Sequence, residues 1–365
     1  MKIIISGGGT GGHIFPAISI ANTIKVRHPE AHILFVGAEN RMEMSRVPEA
    51  GYEIIGLPIS GFNRKNIFKN FKALYLLLKS LRLARKILSN FKPDAVVGVG
   101  GYASGPTLMV ANQLGIPTLI QEQNSYAGMT NKLLAKKAAK ICVAYEGMDA
   151  FFPKDKIVLT GNPVRNNFKC SKEKRNEAIA EFQLDPDKKT ILVIGGSLGA
   201  RTINDSMIHD WEKWSKAANV QIIWQSGKVY FNLCAFKIAL RDAAPVKLYA
   251  FISQMDLAYS VADIIISRAG AGTISELCLV GKPVILIPSP NVAADHQTKN
   301  AMSLVNNKAA IMIPDKSARG KLADTILALA QNEKKQKKLG RKISKLALPY
   351  AADNIVNEIE KMIMK

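Results

Sequence analysis

One design occurs twice in this chain. The apolar run Ile3-Ile4-Ile5-Ser6 leads straight into Gly7-Gly8-Gly9-Thr10-Gly11-Gly12, and Ile191-Leu192-Val193-Ile194 leads into Gly195-Gly196-Ser197-Leu198-Gly199. A buried strand that ends in glycines and opens a helix is the first turn of a Rossmann-like unit. Two copies within 365 residues imply two such units, and that length suits two domains of roughly 100–200 residues each. Short β-rich runs recur between helical patterns, at 3–6, 33–36, 95–99, 118–120 and 140–144 and again at 191–194, 220–224, 247–249, 264–266 and 284–287. Strands alternating with helices predict parallel sheets covered on both faces, the doubly wound α/β class. Gly161-Asn162-Pro163 is the expected hinge, with the second unit restarting near residue 164. Beyond Lys316 the chain reads as helical and lysine-rich. In the final stretch Ile355, Val356, Ile359, Met362 and Ile363 share one helical face, which needs a surface to pack on.

Composition narrows the partners. Lys and Arg number 50 against 29 Asp and Glu, a formal charge of +21 that points to anionic partners: nucleic acid, nucleotides or an anionic membrane. Cys142, Cys170, Cys234 and Cys278 lie far apart with no CxxC pair, so they read as reduced cytoplasmic thiols. The opening residues reach glycine too soon for a signal peptide. The uncharged stretch 95–121 is long enough to suggest a membrane span, but seven Gly and Pro residues break it, which suits a buried strand–loop–helix–strand passage.

Several motifs carry chemistry. Five glycines in six positions at 7–12 exceed what a tight turn needs and suit close approach of an anionic ligand to a helix start. No Gly-Lys-Ser/Thr follows, so this is not a P-loop; a redox dinucleotide site stays open on this loop alone, with Glu39 as its acidic residue. His13 lies in the first helical turn, where the helix dipole disfavours imidazolium and leaves a neutral ring able to accept a proton. The stretch Ser267-Arg268-Ala269-Gly270-Ala271-Gly272-Thr273-Ile274-Ser275-Glu276 again joins a strand end to a helix. Glu276 suits a ribose diol, or alternatively a capping box with Thr273. Asp185-Pro186-Asp187 has the D-x-D spacing of metal-dependent sugar-nucleotide enzymes but sits in a charged linker, so a turn is expected and no metal site. The block from Phe62 to Lys92 holds nine basic residues and no acidic one. Its lysines at 65, 72, 79 and 86 form a row, with aromatic and leucine side chains between. That mixture favours an anionic membrane surface over nucleic acid, for which no recognition motif is present.

Taken in order, these segments resemble the MurG family of bacterial peptidoglycan N-acetylglucosaminyltransferases, which convert lipid I to lipid II. The matching segments are GGGTGGHIFP at 7–16, GGYASGP at 100–106, Glu122-Gln123-Asn124, GNPVR at 161–165, GGSLGA at 195–200, the stretch 268–276, and DHQTKNA at 295–301. The resemblance implies a GT-B architecture: two Rossmann-like doubly wound domains (1–163 and 164–345) facing across a cleft, and a C-terminal helix (346–365) returning to the first. It implies transfer from UDP-N-acetylglucosamine, bound mainly by the second domain, with no cofactor or metal. Donor contacts carry over to Thr10, Gly11, Gly12, Asn124, Arg165, Ser197, Ile252, the residues Ala271, Gly272, Thr273, Ile274, Ser275 and Glu276, and Gln297. Glu276 would hold the ribose, and Ile252 would meet the uracil through its backbone. Ser197 and the glycine loops would hold the diphosphate, and Gln297 and Asn124 the sugar. The acceptor would be undecaprenyl-linked lipid I on the inner leaflet, its pyrophosphate at the first glycine loops near Tyr102, and the enzyme a peripheral protein of the cytoplasmic membrane face. Gln121 departs from the family, which commonly has His there; this places the general base on His13, with Glu122 as the alternative. Three rivals fit less well. An epimerase leaves the basic apolar block unexplained, a non-catalytic nucleotide binder does not need His13, and a NAD-linked oxidoreductase does not account for the glycine design in both halves.

Overall fold

A computed structural model describes residues 1–61, 70–164, 171–241 and 243–364. The chain divides into two compact units, Met1–Val164 with Leu348–Lys365, and Arg165–Ala347. Each is built on one parallel sheet.

In the first unit the strands are β1 (Lys2–Ser6), β2 (His32–Ala38), β3 (Glu53–Leu57), β4 (Ala95–Gly98), β5 (Thr118–Glu122), β6 (Lys140–Val143) and β7 (Ile157–Leu159). They lie in the order β3-β2-β1-β4-β5-β6-β7. Alternate side chains of β1 serve opposite faces: Ile3 and Ile5 enter one core cluster and Ile4 the other. Because both faces are covered, the strands read as unbroken apolar runs. The helix Ala351–Ile363 closes one face. Its Ile355, Val356 and Ile359 are buried against Ile20 and Ile24 of the helix Gly11–Arg27 and the β1 isoleucines. Arg27 pairs with Asp353 at 2.9 Å and His28 with Glu360 at 2.8 Å at its edge.

The second unit holds β8 (Lys189–Ile194), β9 (Val220–Gln225), β10 (Val246–Tyr249), β11 (Ile264–Ser267), β12 (Val284–Leu286) and β13 (Ile311–Met312), in the order β10-β9-β8-β11-β12-β13. Three strands escaped the sequence expectation. β3 is a half-exposed edge containing Glu53 and Gly56, and β7 and β13 have only three and two residues.

In both sheets the strand order reverses beside the first strand, between β1 and β4 and between β8 and β11. Ser6 pairs with Gly98 there, and Ile194 with Ser267. Ligands of open α/β sheets bind outside the carboxyl ends of strands at such reversals. The glycine loops after β1, β4, β8 and β11 are therefore the four segments to examine.

Asp185 and Asp187 form a turn in which the Asp187 N–H donates to Asp185 Oδ1 at 3.0 Å. Cys142, Cys234 and Cys278 are buried thiols. Burial pushes the pKa of Cys142 and of Cys278 up to about 12, and that of Cys234 up to about 11. None is poised as a nucleophile. No helix among the described residues is long and apolar enough to cross a membrane.

Candidate active site

In the first unit the candidate residues are assembled around the loop after β1. Glu43, at the start of the helix Glu43–Glu49, is buried and braces that loop from beneath. Its carboxylate accepts the Gly9 N–H at 2.8 Å and the Ala38 N–H at 3.0 Å. Above it, Thr10 is the N-cap of the helix Gly11–Arg27 but its side chain accepts no hydrogen bond from the helix N–H groups, and no acidic residue occupies the first turn. A helix start left in that condition suits an incoming anion.

His13 projects from this turn. Its Nδ1 lies 2.9 Å from the Gly8 carbonyl and 3.3 Å from Thr10 Oγ1. A carbonyl only accepts, so Nδ1 carries the proton and Nε2 is the basic nitrogen. Burial lowers the His13 pKa, against the opposing pull of the Gly8 carbonyl, Glu122 and Glu43. The neutral ring expected from the helix dipole is therefore kept neutral chiefly by desolvation. Gly100, at φ +92, faces the ring: a Cβ there would stand 3.0 Å from Nε2. Only glycine both adopts that backbone and leaves this side of Nε2 open.

Glu122 occupies a different role from the one expected. It is buried at the end of β5, and its carboxylate is engaged by four donors. Oε1 accepts from Asn124 N–H (3.0 Å) and Nδ2 (3.3 Å), and Oε2 from Gly128 N–H (2.9 Å) and Asn131 Nδ2 (2.8 Å). A carboxylate so committed organises the 122–131 loop and orients Asn124; it has no lone pair to spare as a base. Gln121 is also buried, in a relay of amides. Its Nε2 donates to Asn162 Oδ1 at 3.0 Å, Asn162 Nδ2 donates to the Gln123 carbonyl at 3.0 Å, and Gln123 Nε2 donates to the Val99 carbonyl at 2.7 Å. Gln121 thus ties β5 to the segment after β7, and Gln123 fastens the β4 and β5 loops together. Tyr102 is half exposed, its ring against Gly61.

In the second unit the loop after β8 exposes Ser197 at its tip. Gly199 and Gly227 meet backbone to backbone, where a Cβ on Gly227 would lie 2.1 Å from Gly199 N. Gln225, buried at the end of β9, donates to the Gly196 carbonyl at 3.1 Å and accepts the Ile252 N–H at 2.8 Å. Gln225 thus engages the Ile252 amide, and of that residue's two backbone groups the carbonyl is the one left for the expected backbone contact. The helix Ala271–Val280 has Gly270 as its N-cap and no side-chain cap. Thr273 is therefore inside the helix, and the capping-box alternative for Glu276 is removed. Ile274 is buried in the core, so its side chain does not face a ligand. Glu276, one turn further, accepts a hydrogen bond from Tyr259 Oη at 3.4 Å, and burial and this carboxylate raise the Tyr259 pKa.

Gln297 braces two loops, its Oε1 accepting from Ala269 N–H (3.2 Å) and Ser289 N–H (2.8 Å). That leaves the amide nitrogen as its donor. Arg268 is tied to Asp315 and donates to the Ile287 carbonyl at 3.0 Å, while Asp315 also accepts from Thr202 Oγ1 at 2.9 Å. Sequence reasoning missed Glu43, Gln225 and Asp315, each a polar residue whose partner is remote in the chain. The expected contact Arg165 lies outside the described residues.

Comparison with known proteins settles the family. Residues 3–143 match the glycosyltransferase family 28 N-terminal domain, and residues 190–355 match its C-terminal domain. A Parabacteroides distasonis protein described as UDP-N-acetylglucosamine--N-acetylmuramyl-(pentapeptide) pyrophosphoryl-undecaprenol N-acetylglucosamine transferase is 61% identical over 364 residues, covering 100% of this chain and 99% of its own. The Phocaeicola vulgatus protein of the same description is 60% identical, covering 100% and 97%. The chain belongs to the MurG family of glycosyltransferases. The crystal structure of Acinetobacter baumannii MurG superposes with a TM-score of 0.83 at 28% identity, covering 99% of each chain. The architecture is accordingly α/β of the GT-B type. Within the MurG family motifs, the structure brings His13, the 7–12 loop, Gly100 and the 122–124 segment together in one unit, and Ser197, Ile252, Glu276 and Gln297 around the reversal point of the other.

Proposed function

We propose that this protein transfers N-acetylglucosamine from UDP-N-acetylglucosamine to the muramyl 4-hydroxyl of undecaprenyl-pyrophosphoryl-N-acetylmuramyl pentapeptide, with inversion and without a metal. The observation that carries this reading is His13: a neutral ring with Nδ1–H held by Gly8 and Nε2 open above Gly100. Nε2 takes the hydroxyl proton, the oxygen bonds to the anomeric carbon, and the bond to the UDP oxygen breaks on the opposite face. UDP leaves with its electron pair. The oxocarbenium-like transition state gains most from positioning and from stabilising the departing diphosphate. The helix start at Ala271 and the loop carrying Ser197 supply that stabilisation. Glu276 holds the ribose, the Ile252 carbonyl meets the uracil, and Gln297 Nε2 with Asn124 addresses the sugar. Thr10, Gly11, Gly12 and Tyr102 meet the acceptor pyrophosphate.

The same reading places the enzyme peripherally on the cytoplasmic face of the inner membrane. In the helix Asn70–Phe91, Phe71, Leu74, Tyr75 and Leu78 are exposed at spacings of three and four, between the exposed Lys72, Lys79, Arg82 and Lys86. An apolar stripe framed by cations is the form of a helix that lies in an anionic interface. Residues 62–69 of the expected block, Lys65 among them, lie outside the described residues.

The deciding experiment supplies UDP-N-acetylglucosamine and a soluble short-chain lipid I analogue and identifies the product by mass spectrometry. The disaccharide product is expected. UDP release without an acceptor-dependent product overturns the assignment.

A further inference from the structure

The helix Phe231–Ala239 of the second unit turns Cys234 into the core and leaves Leu233, Phe236 and, just past its end, Leu240 in solvent. Spacings of three and four residues put these on one face, and Val229 in the preceding turn lengthens the row. Phe236 is 65% and Leu240 73% exposed. Along one flank stand Lys237 and Arg241. With Leu240 they line an open cavity of about 710 Å³, and Arg201, Asp205 and Arg319 stand on its other walls. Among the described residues four fixed cations thus surround one carboxylate, and that carboxylate already faces Arg201 at 3.6 Å. Lys237, Arg241 and Arg319 have no ion-pair partner among the described residues. No step of the transfer reaction calls on any of them.

A row of hydrocarbon beside a cavity with surplus positive charge matches an anion that carries hydrocarbon. We propose that this face binds an anionic phospholipid, its phosphate in the cavity among Arg201, Lys237, Arg241 and Arg319 and an acyl chain along Leu233, Phe236 and Leu240. The cavity volume lies within the roughly 300–1,000 Å³ of sites that take molecules of headgroup size. A nucleotide or free phosphate leaves the apolar row unexplained, and a solubilising charge patch does not require it. The second unit so acquires a lipid contact of its own. It depends neither on the helix Asn70–Phe91 nor on the transferase reading.

The test uses the full chain with Phe71→Ser, Leu74→Ser and Leu78→Ser, which disables the first unit's stripe. Co-sedimentation with phosphatidylglycerol vesicles is compared with that on phosphatidylcholine. A residual preference for phosphatidylglycerol is expected. Adding Lys237→Glu with Arg241→Glu should lower that partition about tenfold or more, and Phe236→Ser with Leu240→Ser should do the same. All these side chains lie wholly or partly in solvent, so melting temperature and turnover on a soluble acceptor should be unchanged. In a separate variant, Phe236→Trp, the new indole should be quenched by phosphatidylglycerol with brominated chains. The proposal is overturned if the background shows no preference for phosphatidylglycerol, or if neither pair of substitutions changes binding. Release of the vesicles by millimolar inorganic phosphate, but not by chloride of equal ionic strength, overturns it in favour of a free-phosphate site.

Discussion

At the scale of single residues, the proposed reaction turns on one nitrogen. Replacing His13 by alanine removes the proton acceptor but no donor contact. Turnover should fall on the order of 100-fold or more while the KM for UDP-N-acetylglucosamine changes little, in steady-state assays at saturating acceptor. Near-parental turnover would move the base elsewhere. The sign of the pH effect follows from burial. A base acts unprotonated, and His13 titrates below its ordinary 6.5. The midpoint of the acid limb of kcat/KM should therefore lie below pH 6.5, with the rate levelling off above it. Gly100→Ala tests the same nitrogen from outside. The added methyl stands 3.0 Å from Nε2 on a backbone of φ +92, so turnover should drop about ten- to hundredfold and stability by about 1–2 kcal/mol, read by kinetics and urea melts. In the other unit, Glu276→Ala removes the acceptor assigned to the ribose diol. UDP affinity should weaken by about ten- to hundredfold in calorimetric titration, the equivalent of roughly 1–3 kcal/mol.

At the scale of elements, the docking role proposed for the helix Asn70–Phe91 can be tested apart from chemistry. Changing Lys72, Lys79 and Lys86 together to Gln should lower binding to anionic vesicles sharply at low salt, at about 1 kcal/mol per charge, with turnover on a soluble acceptor unchanged. Equal binding by variant and parent would reduce the lysines to an ordinary solvated face. Elements also show what was legible beforehand. β1 and β8 announced themselves because burial on both faces turns a strand into an unbroken apolar run before a glycine loop. β3 did not, because an edge strand with Glu53 and Gly56 lacks that signature. β13 did not, because two residues carry no period. His13 was visible beside its glycines, and its neutrality was foreseen through the wrong leading cause. The actual cause, burial, depends on loops that converge only in the fold. Glu122 was visible as a carboxylate in a motif, yet its function is set by Gly128 and Asn131, which no local pattern ties to it. Gln225 reaches Ile252 across 27 residues and looked like any polar strand end.

At the scale of the whole molecule, two units with separate cores should melt as two events. UDP, assigned to the second, should raise only that transition, by about 2.7 kcal/mol at a hundredfold excess over its Kd. A chain ending at Ala347 should lose the first transition in scanning calorimetry and keep the UDP-responsive one, because Ile355, Val356 and Ile359 leave their place against the first sheet. Survival of both transitions would show that the terminal helix is dispensable. That helix also sets an order of events on the ribosome. The first unit emerges first but cannot finish its core until the helix Ala351–Ile363 has been made. Between them lies Arg165–Ala347, which at about 5–20 residues per second takes roughly 10–40 s to translate. Throughout that interval the nascent first unit carries a bare isoleucine groove, while the second, begun later, can be completed first.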